Sequence, residues 1–278
     1  MERRTIVITG ANSGIGREAT RQLLTLGHEL VLVCRNRDKA EEARADVTRT
    51  SGNANAHVVL CDLASHADIR RAAAELLDRF PRIHVLVNNA GLINTERAET
   101  VDGHETTFAV NHLAPMLLTN LLRARLVASS PARIITVSSD YHWRGRVDFD
   151  DLQSKAGYSQ FPVYANSKLM NVLFTRELAR RLVGTGVVAN AMHPGLVQTN
   201  LSPQKGFFKL AYPLAKPFMI SAAKGADTIT WLASAPEASH VSGEYFCKRR
   251  VRLSSPRSKD MDVARRLWDV SARLVGIS

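Results

Sequence analysis

The sequence predicts an α/β fold: a doubly wound parallel sheet of about seven strands, with helices on both faces, in three α/β/α layers. Two observations point there. The strand-like runs, such as Thr5–Thr9, Leu30–Cys34 and Arg133–Val137, are apolar almost throughout and do not alternate, as strands covered on both faces require. Helix-period segments lie between them, and right-handed crossovers then leave the doubly wound arrangement.

Thr5–Thr9 is the first strand, followed by a glycine-rich turn and a helix ending near Gly27. Leu30–Cys34 is the second strand, and a charged helix from Arg37 to Thr50 is closed by Ser51-Gly52. His57–Cys61 is the third strand, and Asp68–Phe80 is a helix stopped by Pro81. Val85–Val87 is the fourth, leading into Asn88-Asn89-Ala90-Gly91. A long helix from Glu105 to Val127 carries an expected bend at Pro115. Arg133–Val137 is the fifth strand, and after a polar loop a helix runs from Tyr164 to Leu182. Val187–Ala191 is the sixth strand, broken by Pro194-Gly195. Ser221–Ser234 is helical, Glu244–Phe246 is a short last strand, and an amphipathic helix covers Met261–Leu274. With neither linker nor fixed-period repeat, residues 1–278 read as one domain.

Composition narrows the function. Lys and Arg number 37 against 26 Asp and Glu, a net charge of +11. The densest basic run, Lys248–Arg252, has no nucleic-acid-binding pattern around it, so it reads as a solvated surface and no nucleic-acid partner is expected. Cys34, Cys61 and Cys247 form neither a paired framework nor a C-x-x-C motif, which suits a reducing compartment. The nine histidines lack metal-ligand spacing; no metal is expected, and His193 beside Pro194 reads as structural. No apolar run is long enough for a signal h-region or a membrane span. The expectation is a soluble, cytoplasmic protein.

The turn Gly10-Ala11-Asn12-Ser13-Gly14-Ile15-Gly16 lies between strand and helix. Its glycines permit close approach to a pyrophosphate, and the helix N-terminus points its N–H groups at the anion. Past the second strand, where an acid would bond a ribose 2′-hydroxyl, stands Arg35. A guanidinium suits a 2′-phosphate, so NADP is expected over NAD, with a solvated surface arginine as the other reading. Asp62-Leu63 and Asn89-Ala90-Gly91 follow the third and fourth strands at the crevice edge, with Asp62 suited to an adenine edge.

Tyr164 and Lys168 stand at i and i+4 on a helix, hence on one face. The ammonium is expected to lower the phenol pKa below its usual value of about 10. Such pairs also arise by chance. Here Ser138-Ser139 ends the fifth strand, and Asn111 places an amide inside an apolar helix, where it must find partners. Tyr158 and Tyr141 have Pro162 and Gly145, not lysine, four residues on.

Together these motifs resemble the short-chain dehydrogenase/reductase family: Thr9-Gly10-x-x-x-Gly14-Ile15-Gly16, Asn88–Gly91, Asn111, Ser139, Tyr164-x-x-x-Lys168 and Pro194-Gly195, in order along the chain. Cys34-Arg35, Phe149–Gln153, Asn171–Leu178 and Arg266–Trp268 resemble its retinol dehydrogenase-like branch. The resemblance implies a Rossmann-type NADP-binding oxidoreductase with a tetrad of Asn111, Ser139, Tyr164 and Lys168. It also implies cofactor contacts from Pro194, Gly195, Val197 and Thr199, with Thr199 on the carboxamide. It allows a homodimer or homotetramer. Ser139 and Tyr164 lie 25 residues apart, and the intervening Tyr141, His142 and Trp143 are expected at the pocket edge. A segment at about 199–221, with Phe207, Phe208 and Tyr212, reads as a lid over an apolar substrate; packing, an oligomer contact or a lysine-bearing membrane-touching patch are the other readings. The implied substrate is a small hydrophobic aldehyde, ketone or alcohol. A catalytically idle NADP-binding sensor on the same scaffold is the alternative.

Overall fold

The computed structural model of the chain describes residues 3–197 and 219–277. The strands are β1 (Thr5–Thr9), β2 (Glu29–Cys34), β3 (Ala56–Leu60), β4 (Val85–Asn88), β5 (Ala132–Val137), β6 (Val187–Met192), β7 (Tyr245–Cys247) and β8 (Arg250–Val251). They form one sheet in the order β3-β2-β1-β4-β5-β6-β7-β8. All pairings are parallel except β7 with β8. The chain reverses its winding between β1 and β4, so the crevice for a ligand lies at the carboxyl ends of these strands.

The helices are α1 (Gly14–Thr25), α2 (Arg37–Ser51), α3 (His66–Arg79), α4 (Ala114–Ala128), α5 (Gln160–Arg181), α6 (Ala222–Ser234) and α7 (Met261–Leu274). One apolar layer packs the sheet against α3, α4, α5 and α7, with Ile134, Leu117, Leu173 and Leu267 near its centre. The other packs it against α1, α2 and α6, through Ile8, Leu23, Val47 and Ile229. Every residue of β1 and β5 is buried, which explains why their sequence is apolar almost throughout.

Local chemistry sets the ends of the elements. Asn36 caps α2 by accepting the Lys39 N–H at 2.9 Å, and Gly52 closes it in the left-handed region at φ 70°. Ser65 caps α3 through Asp68 N–H, so that helix begins at His66, two residues before the sequence-based start. Helix α5 begins at Gln160, four residues earlier than expected, because Pro162 falls in its first turn, where a missing N–H costs nothing.

Two features depart further from the sequence reading. An eighth strand exists, antiparallel, because Lys248 and Arg249 adopt φ 51° and 60° and fold the basic run into a tight hairpin. The long helix around Asn111 changes pitch: Thr106–Phe108 is a single α-turn, Ala109–Leu113 is π-helical, and α4 follows. The widened turn lies just before Pro115, which has no N–H to return to the Asn111 carbonyl four residues back.

Among the described residues no helix is long and apolar enough to cross a membrane. The described residues hold no group of three or more His, Cys, Asp or Glu able to bind a metal. Thr199 and nearly all of the expected lid lie outside the described residues.

Candidate active site

The phosphate-type turn is built from backbone. Gly10 and Gly14 have φ 65° and 52°, values that a side chain rarely adopts. A Cβ on Gly16 would lie 2.4 Å from the Gly10 carbonyl oxygen and 2.6 Å from Asn89 Nδ2. The turn is tied down by Gly10 N–H on Val33 O at 2.9 Å. Ser13 precedes α1 but makes no capping side-chain bond, and the first turn of α1 carries no acid. Its N–H groups therefore face the crevice without a competing protein anion, a cradle suited to a phosphate. Ile15 and Val197 both pack over Gly225 of α6, where an added Cβ would lie 2.7 Å from a Val197 methyl.

Arg35 and Arg37 are exposed, and Arg35 has no ion-pair partner among the described residues, whereas Arg17 is held by Asp46 at 2.8 Å. Asp62 accepts from Ala64 N–H at 3.0 Å, and Leu63 packs against the core. Asn89 serves the turn: its amide donates to Thr9 O at 2.8 Å, while the Asn89 and Ala90 N–H groups both reach the Thr9 hydroxyl at 3.0 Å. Thr9, which the sequence places at the head of the turn motif without a role of its own, is thus a clamp between the ends of β1 and β4.

The polar residues of the second cluster come from four places and meet at the carboxyl ends of β4 and β5. Asn111 Nδ2 donates to Leu92 O at 2.9 Å and to Ser167 Oγ at 3.0 Å, and its Oδ1 accepts Leu92 N–H at 2.8 Å. The buried amide thus finds all its partners and fixes the loop after β4. Lys168 is buried and donates to Val137 O at 3.1 Å. Gly91 admits both groups: a Cβ there would lie 3.2 Å from Lys168 Nζ and 3.3 Å from Asn111 Oδ1. Ser139, at the end of β5, accepts the Tyr141 N–H on its hydroxyl at 3.3 Å and lies near enough to the Tyr164 phenol to lower its pKa. Ser138 instead donates to Lys168 O at 2.7 Å and is structural.

The electrostatics correct one expectation. Burial pushes the Tyr164 phenol up to about 12, the nearby Ser139 hydroxyl pulls it part of the way back, and Tyr141 adds to the rise. Burial pushes Lys168 down to about 8. Lys168 Nζ sits over the Tyr164 ring, 5.4 Å from its centroid, and directs its proton to the Val137 carbonyl. In the protein alone, loss of solvation outweighs the attraction between the two groups.

The 140–144 turn is also not what its sequence suggests. Tyr141 stands edge-to-face against Tyr164 at 5.9 Å and stacks on Phe161 at 6.1 Å. Trp143 is exposed, but His142 points inward and is fully buried, away from any pocket edge. Gly195, at φ 94°, turns the chain after β6, and Val197 bridges to Ile220.

The sequence profile described as short chain dehydrogenase matches residues 4–206. Human retinol dehydrogenase 14 is 43% identical over 100% of this chain and 88% of its own length. Human retinol dehydrogenase 12 is 42% identical over 99% and 87%. Among solved structures, an uncharacterised protein from Mycobacterium paratuberculosis aligns with TM-score 0.81 and 35% identity, covering 99% of this chain and 94% of that one. A blue fluorescent protein from a metagenomic library, solved in complex with NADPH, aligns with TM-score 0.70 and 26% identity over 87% and 95%.

Proposed function

The chain belongs to the short-chain dehydrogenase family, in its retinol dehydrogenase-like branch, and from that premise we propose that it is an NADPH-dependent oxidoreductase interconverting hydrophobic aldehydes or ketones and their alcohols. The observation that carries the reading is the convergence of Asn111, Ser139, Tyr164 and Lys168 beside a phosphate-type turn. The N–H groups of the Gly10–Gly16 turn would hold the pyrophosphate, with Asn12 and Ser13 at its rim. Arg35 would hold the 2′-phosphate, Asp62 and Leu63 the adenine. The Asn89–Gly91 backbone would line the ribose side, and Pro194, Gly195, Val197 and Thr199 the nicotinamide side. The preference for NADPH rests on the exposed Arg35, which has no ion-pair partner among the described residues, and is supported by the NADPH complex of a structural neighbour.

When bound, the cofactor supplies the hydride and the protein supplies position and proton. Tyr164 gives its proton to the oxygen of the reacting carbonyl, and Ser139 holds that oxygen. Lys168, desolvated and aimed past the phenol at the β5 end, would bind the nicotinamide ribose and return the proton that Tyr164 loses. By analogy with the family it resembles, Asn111 would hold a water relaying protons toward Lys168. Edge-to-face packing of Tyr141 on Tyr164 gives the substrate side an apolar wall.

The test is cofactor oxidation across a panel of apolar carbonyls, with NADPH and with NADH. Turnover should favour NADPH, and Tyr164→Phe should lower kcat about a thousandfold while the Kd for NADPH holds. A preference for NADH would overturn the cofactor assignment. Tight NADPH binding with no turnover on any carbonyl would leave the catalytically idle sensor.

A further inference from the structure

We propose that His142 and His193 are positioning residues for Ser139: two neutral imidazoles of opposite tautomer that grip the peptide joining Ser139 to Asp140 by its two polar atoms. The inference rests on the reading that Ser139 holds the reacting oxygen.

The sheet does not hold this peptide. Strand β5 ends at Val137, and the last ladder-like bond is Ser138 N–H on Met192 O at 2.7 Å. Beyond it the chain enters a short 3₁₀ turn. The Ser139 carbonyl meets His142 Nδ1 at 2.7 Å, and His142 Nε2 meets Ser255 N–H at 3.0 Å. A carbonyl only accepts and a backbone N–H only donates, so His142 carries its proton on Nδ1 and Nε2 is bare. The Asp140 N–H meets His193 Nδ1 at 3.4 Å, and His193 Nε2 faces the Asp140 carboxylate at 3.3 Å. His193 therefore carries its proton on Nε2, the other tautomer. Burial holds both imidazoles below their ordinary pKa, which favours the neutral forms.

The clamp is itself braced. Asp140 accepts from Tyr245 Oη at 3.1 Å and from Arg252 at 2.8 Å, and the Tyr245 ring packs on His142 at 4.7 Å. His193 N–H is bonded to Phe246 O at 2.9 Å. Rotation of the Ser139–Asp140 peptide would swing the Ser139 hydroxyl away from Tyr164, and these contacts resist it.

The test couples kinetics with spectroscopy. His142→Leu and His193→Leu should each lower kcat about tenfold or more, with the Kd for NADPH unchanged. Asn at either position should restore most of the rate, because its amide can donate to the Ser139 carbonyl or accept from the Asp140 N–H near the Nδ1 position. In a Ser139→Ala background, followed by single turnover, the Leu substitutions should cost nothing more. Losses that multiply, or that appear in NADPH binding, would overturn the proposal. Independently, nitrogen-15 spectra of the wild-type protein near neutral pH should show His142 as the Nδ1–H tautomer and His193 as the Nε2–H tautomer. Charged rings, or the reverse tautomers, would also overturn it. If the wild-type protein reduces no carbonyl, the functional reading fails, and these spectra still decide whether the clamp exists.

Discussion

The two halves of the crevice are built from different materials. On the β1 side the candidate site is made of backbone: glycines in the left-handed region, uncapped N–H groups and a hydroxyl that ties two strand ends together. On the β5 side it is made of side chains drawn from β5, the π-helical turn, α5 and the β6 end. A backbone site is defined by what is missing, so any added atom damages it. A side-chain site is defined by what points inward, so damage is specific to one function. The difference teaches that one half should fail in binding and the other in rate.

The strongest challenge to that division is Gly16→Ala. The new methyl meets the Gly10 carbonyl and the Asn89 amide, an overpacking that costs about 1–3 kcal/mol. It should weaken NADPH binding about a hundredfold and lower Tm. An unchanged Kd, read by NADPH fluorescence, would break the comparison. Arg35→Ser sharpens it with a smaller effect. Loss of one charge-assisted contact should raise the Kd for NADPH about tenfold and leave that for NADH alone; equal losses would show that Arg35 does not distinguish the two.

The smallest effect concerns the side-chain half. Lys168 is held at about 8 in the folded protein against an ordinary 10.5. Between these values the unfolded chain binds a proton that the folded chain does not, so stability rises with pH across the window. Urea unfolding of the cofactor-free protein at pH 8, 9 and 10 should show this rise in the difference between the wild type and Lys168→Met. An equal rise in both proteins would place its origin elsewhere. The difference is the quantity read because the buried thiols of Cys34 and Cys61, pushed up to about 11 and about 12, act in the opposite sense from about pH 9, and the raised phenol of Tyr164 from about pH 10, in both proteins alike.

The same division governs what the sequence could reveal. The order of strands and helices, the glycine turn, and the residues Asn111, Ser139, Tyr164 and Lys168 were legible because each imposes a local pattern: burial on two faces, a required positive φ, an i,i+4 spacing. The inward turn of His142 and the grip of His193 depend on partners more than fifty residues away, and no spacing announces them. The rise of Tyr164 to about 12 follows from burial by the assembled core, which the local Tyr-x-x-x-Lys pattern does not contain. Strand β8 was hidden because Lys248 and Arg249 stand where hairpins ordinarily use glycine or asparagine.

Helix α7 lies against α5, where Trp268 stacks on Phe174 at 5.7 Å and carries the Arg181 guanidinium at 4.5 Å. Helix α5 also bears Tyr164 and Lys168. During synthesis α5 therefore leaves the ribosome some eighty residues before its cover. For that interval the nascent chain shows an oily flank on that rod, which closes only once α7 has been made.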